Sequence, residues 1–209
     1  MKNILIIANG GREDAAFLRR MAGAHDYVLA LDGGADNALA AGVMPDLALG
    51  DLDSISPAAK KKLGNLRLLQ IPRQDNTDLE KGLDFTVFLK PAAISIVCAT
   101  GGRIDFTLGN FSSVFAYTKK TDIVFRGKGW RVYPLEAAAK PRKFACKKGD
   151  TVSLVPAGDC GGITLKNLKY PLKNAPLAVG QTAISNVALG ESFEVLLKAG
   201  RLFVIVYEK

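Results

Sequence analysis

The chain is poor in the residues that most often announce a function. Its three cysteines, Cys98, Cys146 and Cys160, lie far apart with no C-x-x-C among them. That argues against a thiolate zinc site and a disulfide framework, and free thiols suit a reducing cytosol. The single histidine, His25, falls in the loop expected before the second strand, so no Ser-His-Asp chemistry is available. Neither G-x-G-x-x-G nor G-x-x-x-x-G-K-[ST] occurs, which removes the dinucleotide fingerprint and the P-loop. No apolar run approaches membrane-spanning length, and the opening MKNILIIANGG lacks a signal-peptide cleavage pattern. The net charge of +8 suits nucleic acid, an anionic membrane or a polyphosphate ligand. However, the basic groups Lys60–Lys62, Lys119-Lys120, Lys140–Lys143 and Lys147-Lys148 have no aromatic ladder between them, so they read as solvated surface. The expectation is a cytoplasmic protein that binds neither nucleic acid nor membrane.

What is present is alternation. Asn3–Ala8 is a continuous apolar run, followed by Asn9-Gly10-Gly11 and a helix-forming stretch from about Arg12 to Met21. Tyr27–Leu31 predicts a second strand, Ala35–Ala41 a short helix stopped at Gly42, and Leu47–Leu49 a third strand. Ser56-Pro57 opens a helix to Leu63, with a hydroxyl cap and Pro at the first helical position. Leu66–Ile71 predicts a fourth strand. Asn76 or Thr77 caps a helix to about Leu89, and Ile94–Ala99 predicts a fifth strand. A helix from about Asp105 to Thr118 and a strand at Thr121–Phe125 complete a strand–helix series, which predicts a three-layer α/β domain. Past Gly127-Lys128-Gly129 only short β-like runs remain: Arg131–Leu135, Lys143–Cys146, Thr151–Val155, Gly162–Leu165, Glu191–Leu197 and Arg201–Tyr207. They predict an antiparallel sandwich or barrel, its last two strands forming a hairpin at Ala199-Gly200.

The stretch Leu31–Ser54, LDGGADNALAAGVMPDLALGDLDS, holds the chemistry. Two apolar strands end there at Asp32-Gly33-Gly34 and at Gly50-Asp51-Leu52-Asp53-Ser54, where parallel sheets hold their ligands. Asp78 lies in the loop beyond the fourth strand. Carboxylates delivered together suit a hard divalent cation, and Mg²⁺ bridges such clusters to phosphates. An extended Asp51-Leu52-Asp53 points both carboxylates to one face, and a turned one still lets both reach one ion. The plainer reading is that each Asp caps the next helix. It suits Asp36 and Asp105, but suits Asp51 poorly because no helix follows at once. Gly10 and Gly11 serve either as amide donors to a phosphate or as plain turn residues. Thr100-Gly101-Gly102-Arg103 at a helix start makes an anion site. These residues describe a Mg²⁺-dependent handler of a phosphate ligand, a chemistry that rests on placement and charge neutralisation and needs no histidine.

With DGGAD, PDLALGDLDS, QDNTDLEKGLDF and TGGRIDFTLGN in order across residues 32–110, the sequence resembles the thiamine pyrophosphokinase family. LKYPL at Leu168–Leu172 and Ile184-Ser185-Asn186 extend the resemblance toward the carboxyl terminus. It implies a Rossmann-like parallel-sheet catalytic domain of three layers over residues 1–126. A small antiparallel β-sandwich over 127–209 would serve the thiamine side and dimerisation. It implies transfer of the pyrophosphoryl group of ATP to the hydroxyl of thiamine, with Mg²⁺, in a homodimer whose sites are shared between subunits. Asp51, Asp53 and Asp78 correspond to the catalytic and Mg²⁺-holding residues, with Asp32 close by. Gln74, Asp75 and Thr77 lie in the matching loop, Arg103 and Asp105 in the ATP-holding motif, and Ser185 and Asn186 in the thiamine-side motif. Phe106 stands where the family often has His, and Val187 where it often has Glu. Trp130 and Tyr170 are candidates by type for stacking on thiamine, with core packing the plainer reading for both. Whether a carboxylate also acts as general base toward the hydroxyl stays open, with Asp78 the first choice. Two rival readings are another Mg²⁺-dependent enzyme on this scaffold and a non-enzymatic ligand sensor.

Overall fold

Apolar runs of four to six residues that end at Gly, Asp or Asn are long enough for strands and too short for helices. In the computed structural model, which describes residues 2–209, six of them become β1 (Asn3–Ile7), β2 (Tyr27–Leu31), β3 (Leu47–Gly50), β4 (Leu68–Gln70), β5 (Ala93–Val97) and β6 (Asp122–Gly127). Between them run α1 (Ala15–Gly23), α2 (Gly34–Ala40), α3 (Pro57–Leu63), α4 (Asp78–Phe88) and α5 (Ile104–Ser113). The strands pair in parallel in the order β6-β5-β1-β2-β3-β4. The chain forms two compact units, residues 1–128 and 129–209, divided within the turn that follows β6.

Local chemistry sets the helix boundaries. Asp14 rather than Arg12 starts α1, its carboxylate accepting from the Phe17 amide at 3.0 Å. Ser56 caps α3 with Pro57 in the first turn, and Thr77 caps α4 in a reciprocal capping box with Glu80. β4 is shorter than the sequence suggests because Asn65–Arg67 forms a 3₁₀ turn, which leaves Leu66 in solvent.

Strand alternation sorts the helices to two sides. Leu5, Ile7, Val28 and Ala30 share one face of the sheet; the first three pack on α1 and α2 through Phe17, Leu18, Met21 and Ala38. Ala30 and Ala48 on that face cover Ala35, Ala59 and Leu63 of α2 and α3. On the other face Leu31 lies under Gly82 of α4, and Phe125 meets Phe111 of α5 edge-on at 4.7 Å. The result is helix, sheet, helix. The strand order reverses between β1 and β5, so the carboxyl ends of these two strands open the crevice where such sheets bind ligands.

The second unit is built of β7 (Trp130–Glu136), β8 (Arg142–Ala145), β9 (Thr151–Pro156), β10 (Cys160–Lys166), β11 (Ala175–Leu177), β12 (Ala183–Val187), β13 (Ser192–Leu196) and β14 (Arg201–Tyr207). They make two antiparallel layers, β12-β9-β14-β7 and β11-β10-β13-β8. Val152, Leu154, Val204 and Val206 of one layer meet Phe144, Ile163, Phe193 and Val195 of the other, with Phe144 and Phe193 stacked at 5.2 Å. This is a sandwich, as the resemblance implies, but the expected hairpin is absent. β13 pairs with β8 and β10, while β14 pairs with β7 and β9, so the two belong to different layers. Ala199-Gly200 is a crossing point. Ala199 exchanges backbone bonds with Gly161, and a Cβ at Gly200 would lie 2.2 Å from the Asp159 carbonyl oxygen. β11 and β12 were not legible as strands. The first is three residues long and contains Pro176, and the second has an irregular register at Ser185, whose φ is +60°.

Candidate active site

Because β2, β3 and β4 are parallel neighbours, their carboxyl ends share one edge of the sheet. Asp32 follows β2 at φ +45°, Asp51 follows β3, and the loop after β4 delivers Asp78 as the first residue of α4. Each offers one carboxylate oxygen, and these oxygens all lie within 4.8 Å of one another. Gly50 permits the convergence: a Cβ there would meet Asp32 Cβ at 3.1 Å and Asp78 Oδ1 at 3.2 Å. Three hard oxygen donors around a cradle that only glycine leaves open suit a divalent cation of the Mg²⁺ class.

Asp32 is buried, and desolvation pushes its carboxyl above the usual range, with the charge of Asp78 adding to the rise and Ser54 opposing it. Asp51 lies below the usual range. The Asp53 amide is the main cause, and the Gln74 amide and the Lys81 ammonium add to it against partial desolvation. One site thus holds a carboxylate that resists ionisation beside one that favours it, and such divergent environments cluster at functional sites.

Asp53 stands outside this triad. Leu52 has φ +65°, so the chain turns between the two aspartates and does not stay extended. The Asp53 carboxylate accepts from Ser54 Oγ at 2.9 Å, while its amide donates to Asp51 Oδ1 at 3.2 Å. It still lines the same cleft. Gln74 Nε2 donates to Asp51 Oδ2 at 3.3 Å, Asp75 pairs with Arg73 at 3.1 Å, and Thr77 spends its side chain on the α4 cap. Arg103 is held by its neighbour: its Nη2 lies 2.6 Å from Asp105 Oδ2, and its guanidinium sits over the Phe106 ring. That carboxylate therefore occupies the fork that an anion would need. The Gly10 and Gly11 amides are also taken, donating to the Cys98 and Thr100 carbonyls at 2.7 Å. A Cβ at Gly10 would lie 2.4 Å from the Cys98 oxygen, so these glycines serve close backbone approach and not phosphate binding.

In the second unit Asn186 is buried and ties down Tyr170, accepting from its amide at 2.9 Å and donating to its carbonyl at 2.7 Å. Ser185 donates its amide to Ser153 Oγ. Tyr170 is more than half exposed, with the Lys169 ammonium over its ring, so the core-packing reading fails for it. The sequence reading missed Lys81, which is buried and donates to Asp78 Oδ1 at 3.0 Å. Its Asp78-x-x-Lys81 spacing was the available signal, but at that spacing a helical ion pair ordinarily lies in solvent.

Two hollows flank the triad. One, of about 530 Å³, opens at the β1/β5 crevice. It is lined by Asn9, Gly10, Gly11, Asp32, Asp51, Asp53, Ser54, Asp78, Gly101, Gly102, Arg103, Phe106 and Asn110, among others. The other, of about 370 Å³, lies under the loop Gln74–Thr77 and is bounded by Glu80 and Lys81. They share Asp51, Thr77, Asp78 and Phe106, so ligands in the two would meet at the carboxylates. Both volumes fall in the range of small-molecule sites. No helix of the described residues is long and apolar enough to cross a membrane.

Comparison with known proteins finds relatives along both units of the chain. Residues 18–125 match the family described as thiamin pyrophosphokinase, catalytic domain, and residues 140–202 match its vitamin B1 binding domain. The thiamine pyrophosphokinase of Bacillus subtilis (strain 168) is 30% identical over 198 residues, which cover 89% of each chain. The crystal structure of thiamine pyrophosphokinase from Bacillus subtilis superposes with a TM-score of 0.85 at 27% identity, covering both chains completely. The one from Geobacillus thermodenitrificans does so with a TM-score of 0.86 at 25% identity, over 99% of this chain and 98% of that one. A carboxylate triad at the ends of β2, β3 and the α4 entry, in a chain matched along both its units, leads to one conclusion: this chain belongs to the thiamin pyrophosphokinase family.

Proposed function

We infer that this protein transfers the pyrophosphoryl group of ATP to the hydroxyl of thiamine, giving thiamine diphosphate and AMP. The observation that carries the reading is the convergence of Asp32, Asp51 and Asp78 between two adjoining hollows, in a chain of this family. The thiamine hydroxyl releases its proton to solvent as its oxygen forms a bond to the β-phosphorus of ATP, the bond from that phosphorus to the α,β-bridging oxygen breaks, and AMP leaves with that oxygen. Asp32, Asp51 and Asp78 would hold Mg²⁺, which neutralises charge developing on the phosphates. Asp53, across the turn at Leu52, and Gln74 with Asp75 position the phosphates and the loop above them. Arg103 exchanges Asp105 for phosphate when ATP arrives, because both are anions that its fork can hold. The carboxylates also attract the permanently cationic thiazolium ring of thiamine.

The domain roles belong to the same proposal. The first unit is the catalytic domain, and the second, with Ser185, Asn186 and exposed Tyr170, serves the thiamine side. The active form is a cytoplasmic homodimer in which both subunits contribute to each site. Light scattering on fully active protein is expected to give twice the 22.3 kDa chain mass, and a monomeric mass would refute the dimer. The activity itself is tested by incubating the chain with ATP, Mg²⁺ and thiamine. AMP and thiamine diphosphate are expected in equal amounts, both abolished by EDTA. Loss of ATP that does not depend on thiamine would overturn the substrate assignment.

A further inference from the structure

Lys81 is the one lysine of the described residues buried to 3% exposure, and its ammonium lies 3.0 Å from Asp78 Oδ1. An amine so enclosed carries a desolvation penalty that a helical ion pair with a neighbour three residues away does not ordinarily offset. Apolar packing alone would be served better by Leu or Met, so its place needs another reason. α4 lies close on the sheet at Gly82, where a Cβ would come 2.5 Å from Leu31, and Lys81 beside it is buried as well. Lys81 borders the smaller hollow together with Asp51 and Asp78. Three carboxylates and one ammonium sum to a charge of −2, which one divalent cation neutralises.

We propose that Lys81 is a positioning residue for the transfer: it fixes the orientation of the Asp78 carboxylate and serves as the built-in countercharge that limits how tightly the triad holds its cation. The inference rests on the function read above. Pinning Oδ1 sets where the other oxygen of Asp78 points. Without the ammonium the carboxylate would be free to rotate, and a misplaced ligand lowers the rate more than it lowers affinity. The countercharge matters because a cation held too tightly would not adapt as phosphates enter and leave.

The test compares the full chain with Lys81→Met, which keeps the volume and loses the charge, and Lys81→Gln, which keeps a donor and loses the charge. Thermal midpoints are taken in EDTA and in Mg²⁺, binding of Mn²⁺ alone is followed by electron paramagnetic resonance, and kcat and KM are measured separately. In Lys81→Met the Mg²⁺-induced rise in midpoint is expected to exceed that of the parent, and Mn²⁺ should bind on the order of tenfold tighter. The same variant should lose about a hundredfold in kcat with little change in the KM for thiamine. Lys81→Gln should match Lys81→Met in Mn²⁺ affinity yet recover part of kcat. A merely structural lysine would move none of the metal readings. Equal Mg²⁺ shifts and equal Mn²⁺ affinities in parent and Lys81→Met, or undiminished kcat, would overturn the proposal. If Lys81→Met fails to fold in EDTA but folds in Mg²⁺, the proposal is supported; if it folds in neither, the same readings on Lys81→Gln decide. A parent chain with no Mg²⁺ shift and no AMP production would remove the underlying function and this inference together. A parent with both, beside an unchanged Lys81→Met, would remove this inference alone.

Discussion

Asp51→Asn and Asp78→Asn are each expected to lower kcat about a thousandfold, equivalent to ~4 kcal/mol of transition-state stabilisation, while leaving the fold intact. Asparagine keeps the shape and an acceptor oxygen, so packing is preserved. What it loses is a charge from a cluster in which three ligand oxygens lie within 4.8 Å. Without a cation those charges repel one another across partly desolvated space, and removing one relieves the strain. The midpoint of Asp51→Asn in EDTA should therefore stay level or rise, while that of Asp78→Asn should fall because the buried Lys81 ammonium loses its partner, and in both the additional midpoint gained from Mg²⁺ should vanish. Asp53→Asn should cost less, because Asp53 lies beyond the turn at Leu52 and its carboxylate accepts from Ser54 Oγ. The measurement is kcat for all three variants beside paired thermal melts. Activity near the parent level in Asp51→Asn would refute the metal role of the triad. An Asp53→Asn loss as deep as that of Asp51→Asn would mean that Asp53 matters to the transfer as much as a member of the triad does.

What could be read from the sequence was what local chemistry decides. Ser56-Pro57 and Thr77 announced their helices because a hydroxyl cap acts within one turn, whatever surrounds it. The strand ends carrying Asp32 and Asp51 were visible because buried parallel strands are apolar throughout and stop abruptly. Choices made by tertiary contact were not visible. Asp32 rather than Asp53 enters the triad because of one positive φ at Leu52, a position where no glycine gives warning. Arg103 reads as an anion donor, yet its neighbour Asp105 holds it. Ala199-Gly200 has the composition of a hairpin turn but carries the chain from one layer of the sandwich to the other, which depends on the approach of Asp159 and Gly161. Lys81 escaped because the periodicity of α4 marks Leu79, Gly82, Leu83 and Thr86 as the inner face, and nothing in it places a lysine beside them.

Gly34→Ala is expected to be the most destabilising single-methyl change near the site. In DGGAD the glycines look like turn residues, but Gly34 is the first residue of α2, and its place is set by approach and not by a left-handed turn. A Cβ there would lie 2.2 Å from the Ile7 carbonyl oxygen and 2.9 Å from that of Ala8. Neither carbonyl can yield. β1 is held between β2 and β5 at the centre of its sheet, and Ala8 donates to Val97 at 3.0 Å. The strain must instead lift the first turn of α2, and that turn begins at Asp32, whose carbonyl accepts from the Ala35 amide at 2.9 Å. A loss of about 3 kcal/mol or more is expected, together with loss of the Mg²⁺-dependent rise in midpoint as Asp32 leaves the triad. Denaturation followed at 222 nm reports this unit, because α1 to α5 all lie in it. Gly23→Ala is the control: a Cβ there would meet nothing within 4 Å, and in a helix the change should be neutral or stabilising by up to about 1 kcal/mol. A Gly34→Ala chain as stable as its Gly23→Ala counterpart, with its Mg²⁺ response intact, would mean that β1 and α2 are not in the close contact that puts Asp32 beside Asp51 and Asp78.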